Sequence, residues 1–233
     1  MMKKIKILAI DTSNKSSSDS VLENEKVVGD ICLDCGLVHS KVIYGMVNSV
    51  LKLTSNKIGD IDLFSVCIGP GSYTGIRIGV SLCKGISLSI SKKFMGISSL
   101  LSLANSVTNL SDEHVIYSCI IANKDELYFN SYDFCEETRE ILQRGKDMFI
   151  SFSELSEIIK NEHKRIMFVG NASNLCYNLF GWCGKIDDVY DRKVESKFVG
   201  LSAYREFLRG EGSDICDLSP NYLKKVKIEG DIR

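Results

Sequence analysis

No sign of charge predominates in this 233-residue sequence: 29 lysines and arginines stand against 30 aspartates and glutamates, for a formal net charge of −1. Proteins that grip nucleic acid unaided neutralise its phosphates with a basic excess. That excess is absent, so any role on RNA is expected to draw its electrostatics from another protein. A long hydrophobic run is also missing. The apolar stretch Ile7-Leu8-Ala9-Ile10 is preceded by Lys6 and closed by Asp11, too soon for the core of a secretion signal. No later stretch approaches the ~20 apolar residues of a membrane span. The expectation is a soluble, cytoplasmic protein. The nine cysteines, an odd number running from Cys32 to Cys216, fit a reducing compartment. Cys32 and Cys35 have CxxC spacing, but a zinc site needs two further ligands at matched spacing and no second pair exists. Both are expected to be ordinary thiols in a turn. The three histidines, His39, His114 and His163, are far apart and none has a metal-ligand spacing; each is expected to cap an element or lie on the surface. There is no Gly-x-Ser-x-Gly elbow. Neither a catalytic residue nor a metal ligand set can be named.

With 44% hydrophobic residues, a chain of this length buries roughly 70–75% of its unfolded surface, enough for one large domain or two small ones. Strands and helices alternate along it. Residues 4–10 read as a strand, 13–19 as a loop, and 20–33 as two further strands joined around Glu23-Asn24-Glu25. In residues 40–53 the apolar positions Val42, Ile43, Met46, Val47, Val50 and Leu51 make one helical face. Leu63 to Ile68 reads as a strand, and residues 75–90 as a helix by length, although Ile76, Ile78, Val80 and Leu82 alternate like a strand. A polar break at residues 106–114 marks a boundary. Beyond it, residues 115–122, 126–134 and 165–169 read as strands. Ser153-Glu154 begins a helix to Asn161, and residues 197–208 form an amphipathic helix stopped by Gly210. The fold class is α/β, in two halves of similar build.

Two places hold candidate chemistry. Gly69-Pro70-Gly71-Ser72-Tyr73-Thr74-Gly75-Ile76-Arg77-Ile78-Gly79 lies between a strand and a helix, where glycines allow tight turns and backbone amides hold anions. It lacks the lysine of a P-loop and the third glycine of a dinucleotide fingerprint, so Gly71 and Ser72 as phosphate contacts and a plain tight turn both stand. Asp11 ends the first strand, where a carboxylate positions a metal-bound phosphate or a water; no glycine follows it, and a side chain capping its own turn is the other reading.

These residues resemble one family. Ile7-Leu8-Ala9-Ile10-Asp11-Thr12-Ser13, then His39-Ser40, the Gly69–Gly79 block and Gly96-Ile97-Ser98-Ser99-Leu100 follow the pattern of the bacterial TsaB (YeaZ) family, in the right order across residues 1–105. The second half matches weakly. Ala122 to Tyr128 resembles a family segment, with Ile121 and Asn123 departing from it. Gly170-Asn171-Ala172 stands for a Gly-Asp-Gly-type turn, and Pro220-Asn221-Tyr222-Leu223-Lys224 for Pro-x-Tyr-Leu-Arg.

The resemblance implies two RNase H-like lobes of the actin/hexokinase/Hsp70-like superfamily, at residues 1–105 and 106–210, with a tail at 211–233 that packs back on the first lobe. It implies a non-catalytic subunit that forms a heterodimer with the paralogue TsaD, joined by the ATPase TsaE. TsaD transfers a threonylcarbamoyl group to the tRNA adenosine 3′ of the anticodon. The metal-holding histidines of the paralogue fall on Ser99 and Leu103 here, neither a substitute for imidazole. ATP, ADP and metal are then held by partners. The two N-terminal helices would carry the heterodimer contact, through Ile43, Val47, Val50, Gly75, Gly79 and Cys83, with Gly45 also permitting close approach. A homodimer would cover that surface in the isolated chain. The alternatives are a kinase-like or peptidase-like enzyme of the superfamily and a standalone nucleotide-binding module. Lys224, Lys225 and Lys227 would touch tRNA only within a complex.

Overall fold

The computed structural model describes residues 4–36, 38–90, 92–210 and 218–223. Two sheets repeat one plan. In the first, β1 (Lys6–Asp11), β2 (Ser16–Glu23) and β3 (Lys26–Asp34) run antiparallel, and β4 (Leu63–Gly69) and β5 (Lys93–Ser98) add in parallel to give the order β3-β2-β1-β4-β5. In the second, β6 (His114–Ile121), β7 (Glu126–Cys135) and β8 (Glu140–Gln143) are antiparallel. There β10 (Arg165–Val169) and β11 (Ile186–Tyr190) continue in parallel from β6, and β9 (Met148–Ser151) pairs with β7. Helices α1 (His39–Leu53), α2 (Tyr73–Ser87), α3 (Ser99–Ala104), α4 (Phe152–Asn161), α5 (Ser173–Phe180) and α6 (Ser196–Leu208) cover them.

The pleat of β1 sorts the core. Leu8 and Ile10 join Val21, Phe64 and Val66 under α1 and α2, while Ile7 and Ala9 join Leu22 and Cys67 on the opposite face. That opposite face is covered by α6, which packs on β1, β2, β4 and β5, while α3 lies between the sheets, against β4 and β5 on one side and β6 and β7 on the other. The second half lends α6 to the first sheet, so residues 196–208 do not belong with a self-contained second lobe as the division at residue 106 supposed. Gly200 of α6 makes this possible, because a Cβ there would sit on the Leu22 side chain.

Residues 16–19 were expected in a loop, yet they are strand and buried. Their hydroxyls are short enough to pack under helices while remaining bonded. Ser17 Oγ lies 2.7 Å from His39 Nδ1, Ser18 Oγ accepts from Ser196 N at 2.8 Å, and Ser20 Oγ donates to Asp30 at 2.7 Å. Polarity mimicked a loop because the partners are distant in sequence. Asp19, in the same run, is fully buried and neither carboxylate oxygen has a partner. Alternation puts it on the face of Ser17 and Val21, beneath α1 and α2.

The six positions assigned to a partner face are instead internal. Ile43, Val47, Val50 and Cys83 are all below 5% exposed and belong to the cluster under α1 and α2. Gly75 and Gly79 face the end of β1: a Cβ on Gly75 would coincide with the Thr12 carbonyl oxygen, and one on Gly79 would lie 2.6 Å from Thr12 Oγ1. Thr12 Oγ1 donates to the Gly75 carbonyl at 2.7 Å, and Ser72 N to the Ser13 carbonyl at 2.7 Å. The helix rests backbone to backbone on the strand end. Gly45, by contrast, meets nothing. The cap of the fourth helix is Ser151, two residues before the expected Ser153, and it forms a capping box with Glu154.

Two outcomes follow. Gly75→Ala lowers stability by about 1–3 kcal/mol through overpacking, while Gly45→Ala raises it by about 0.5–1 kcal/mol in an exposed helix interior; urea unfolding midpoints distinguish them. Burial holds the Asp19 carboxyl well above its ordinary range, helped by the charges of Asp11 and Asp30. An acid raised in the folded state gives its stability below the unfolded value of 3.8 and loses it as pH rises through the folded value. Asp19→Val therefore stabilises the protein at pH 7.5 by about 1–3 kcal/mol, and the gain shrinks as the buffer is acidified toward pH 5.

Candidate functional site

Between the two sheets lies a cleft of about 510 Å³. Its floor is built by the β1–β2 turn (Ser13, Asn14, Lys15) and the loop Pro70-Gly71-Ser72. Its far wall comes from Ile120, Ile121, Ala122 and Tyr128, and Arg192, Lys193 and Val194 close one side. Among the described residues, three cationic side chains and no carboxylate line it.

Asp11 was the leading candidate for holding a metal-bound phosphate. It is fully buried, and its own chain occupies it: Ser13 N donates to Oδ1 and Asn14 Nδ2 to Oδ2, each at 2.9 Å. Burial pushes its carboxyl up to about 6 against these hydrogen bonds. This is the turn-capping reading of Asp11. Asn14 Nδ2 also reaches the Val194 carbonyl at 3.0 Å, so the turn is tied across the cleft.

Ser72 is the N-cap of α2, accepting from Gly75 N at 3.2 Å. Gly71 lines the cleft because a side chain there would collide with the Ser13 carbonyl. Both residues serve the close docking of α2, and the amide of Ser72 is bonded to Ser13. Ser99 is buried with its Oγ 3.0 Å from Cys67 Sγ, and Leu103 is a buried apolar residue on the cleft wall. This donor set does not fit a metal, and among the described residues no group of three or more His, Cys, Asp or Glu is placed to hold one.

Away from the floor, Asp147 joins three parts of the chain. Ser98 donates to its Oδ2 at 2.6 Å, Asn221 to the same oxygen at 3.0 Å, and Asn130 to its Oδ1 at 2.7 Å. Sequence reasoning missed this clamp, whose members are separated by up to 123 residues; no local pattern carries it. The segment 218–223 continues along the first sheet, with Asn221 N bonded to the Ile68 carbonyl at 2.8 Å and Leu218 buried against Gly96. Tyr222 and Tyr73 flank Arg77, whose Nε donates to the Tyr222 hydroxyl at 2.6 Å. Lys224, Lys225 and Lys227 lie outside the described residues.

Two histidines match their expected roles. His114 bonds Ser111 and Asp187, and His163 is exposed. His39 does not: it is buried at the start of α1, lines the cleft and caps nothing.

Residues 34–223 match the family described as "TsaD: tRNA N6-adenosine threonylcarbamoyltransferase". The tRNA threonylcarbamoyladenosine biosynthesis protein TsaB of Bacillus subtilis is 26% identical over 230 residues, covering 96% of each chain. Among solved structures, YeaZ from Pseudomonas aeruginosa superposes with a TM-score of 0.78 over 94% of this chain and all of that one, at 19% identity. The ROK hexokinase of Thermus thermophilus shares the fold at a TM-score of 0.50 and 7% identity, over 88% of this chain and 99% of that one. No helix among the described residues is long and apolar enough to cross a membrane. With the family's motifs seated at the end of β1 and the start of α2, the chain belongs to this threonylcarbamoyltransferase-related family, on its TsaB (YeaZ) branch.

Proposed function

We propose that this chain acts in the formation of threonylcarbamoyladenosine on tRNA as a non-catalytic subunit, bound to a TsaD-type transferase that carries the chemistry. The family supplies the pathway. The observation that carries the non-catalytic role is Asp11, buried and capped by Ser13 and Asn14. A kinase-like or peptidase-like reading needs a carboxylate or imidazole free to hold a metal, and Ser99 and Leu103 give none. ATP, ADP and metal are then bound by TsaD and by TsaE in a ternary complex, and tRNA is met only within the assembly.

The partner face is the outside of α1 and α2, not the buried positions first assigned. Tyr44 is 69% exposed, and Gly45 on α1 and Gly85 on α2 have open space where a side chain would stand. Ile78, Leu82 and Ile86 are only partly covered by the core beneath. This pairing of an exposed aromatic, partly covered aliphatics and bare helix backbone suits a second helix pair. The two helices carry Lys41, Lys52, Arg77 and Lys84 and no carboxylate, so the matching surface is neutral or acidic. In the isolated chain a second copy would cover the same face.

Size-exclusion chromatography with light scattering on a mixture with the cognate transferase tests this. A stable complex is expected, weakened at least tenfold by Tyr44→Glu with Gly85→Glu at an unchanged unfolding midpoint, and weakened further at high salt. Val47→Glu, in contrast, lowers the midpoint itself. No complex at micromolar concentration, with a transferase that modifies tRNA alone, would overturn the proposal.

A further inference from the structure

The CxxC pair and the buried histidine have no part in the role just proposed, yet the fold brings them together. Cys35 stands just beyond β3, beside Lys15 and Gly36 of the cleft lining. Its sulfur is 3.4 Å from His39 Nδ1 and 3.4 Å from Ser17 Oγ, and Ser17 Oγ is 2.7 Å from the same ring nitrogen. Cys35 Sγ also lies 3.8 Å from the Lys15 carbonyl, its other acceptor. With the ring proton on Nε2, Nδ1 accepts from either the Ser17 hydroxyl or the Cys35 thiol. Burial also lowers the basicity of His39 from its usual 6.5, against the Asn14 carbonyl, so the ring is a neutral base at pH 7. Cys32 is different. Burial, Glu195 and Asp30 push its thiol up.

The β1–β2 turn contributes Lys15, and Asp11 lies buried beneath it. Asp34 precedes Cys35 and faces Lys193 at 3.7 Å, and Arg192 and Lys193 line the cleft opposite. A half-exposed thiol, a neutral base in contact with it and a cleft lined by Lys15, Arg192 and Lys193 make a defined chemical setting.

We propose that Cys35 is a modification site, a thiol that exchanges with negatively charged low-molecular-weight disulfides, with His39 as its base. The S–H proton passes to His39 Nδ1, directly or through Ser17 Oγ. The sulfur attacks one sulfur of the disulfide and the S–S bond breaks. The departing thiolate takes the proton from the imidazolium. One disulfide is consumed, and one mixed disulfide and one small thiol are formed, so electrons and protons balance. Lys15, Arg192 and Lys193 favour a co-reactant that carries carboxylates.

The experiment uses the full chain and follows all nine cysteines by peptide mass spectrometry, with oxidised glutathione as the anionic disulfide and cystamine as the cationic one. At pH 7, Cys35 is expected to react at least tenfold faster than Cys32. The rate ratio of oxidised glutathione to cystamine is expected to be higher at Cys35 than at Cys32, and to fall as salt is added. From pH 8 to about 6.5 the Cys35 rate is expected to stay nearly level, because His39 takes the proton; an unassisted thiol loses about tenfold per pH unit. His39→Gln restores that tenfold slope. Should this variant fail to fold, the pH profile of the unaltered protein decides. Equal rates at Cys35 and Cys32, or a tenfold-per-unit decline at Cys35, would overturn the proposed base. Equal disulfide ratios at the two sites would overturn the anionic preference.

Discussion

Where α2 meets the end of β1, two main chains approach closely, with only the Thr12 hydroxyl set against the helix. Ser72 N and the Gly75 carbonyl bond to Ser13 and Thr12, and glycine at 71, 75 and 79 leaves the space. Much of the molecule depends on that approach. It seals Asp11 beneath the turn, which raises its carboxyl to about 6. It sets Pro70 to Ser72 as the cleft floor and aims the outer side of α2, with Ile78, Leu82 and Gly85, away from the core.

The first sheet is unusually polar inside. Serines at 16, 17, 18 and 20 replace the aliphatic residues that buried strands commonly carry, and their hydroxyls connect α1, α6 and β3. Such networks stabilise when every member is satisfied and cost when one is not. Asp19 is the unsatisfied member among them. Asp147, also raised by burial, is the opposite case, with three donors on its two oxygens. One carboxyl weakens the fold at neutral pH while the other locks the lobes and the segment 218–223 together.

How much of this was legible depended on sequence distance. The α1 stripe, the β4 strand, the β10 strand and the turn at Asn24 are local patterns, and each appeared where periodicity or turn chemistry placed it. The length argument for α2 also agreed with the structure, against its period-two alternation. Periodicity could not say which neighbour a face meets. Val47 and Cys83 have the same apolar character whether they face their own sheet or another protein, and Gly79 packs on Thr12 across 67 residues. The serine strand was unreadable for a related reason: its partners Ser196 and His39 are far away. The helices α3 and α5 and the strands β5, β8, β9 and β11 are short, and short elements carry few repeats of any period. Asp11 left two readings open in the sequence; in the fold, the hydrogen bonds from Ser13 and Asn14 give its turn-capping geometry.

The packing of α6 on the first sheet sets an order on the ribosome. The first sheet is complete at Ser98, but the helix that covers its inner face begins at Ser196. At about 5–20 residues per second, the intervening stretch takes roughly 5–20 seconds to emerge. For that time Ile7, Ala9 and Leu22 have no cover. The two halves therefore mature as one unit, and only when the last helix has left the exit tunnel.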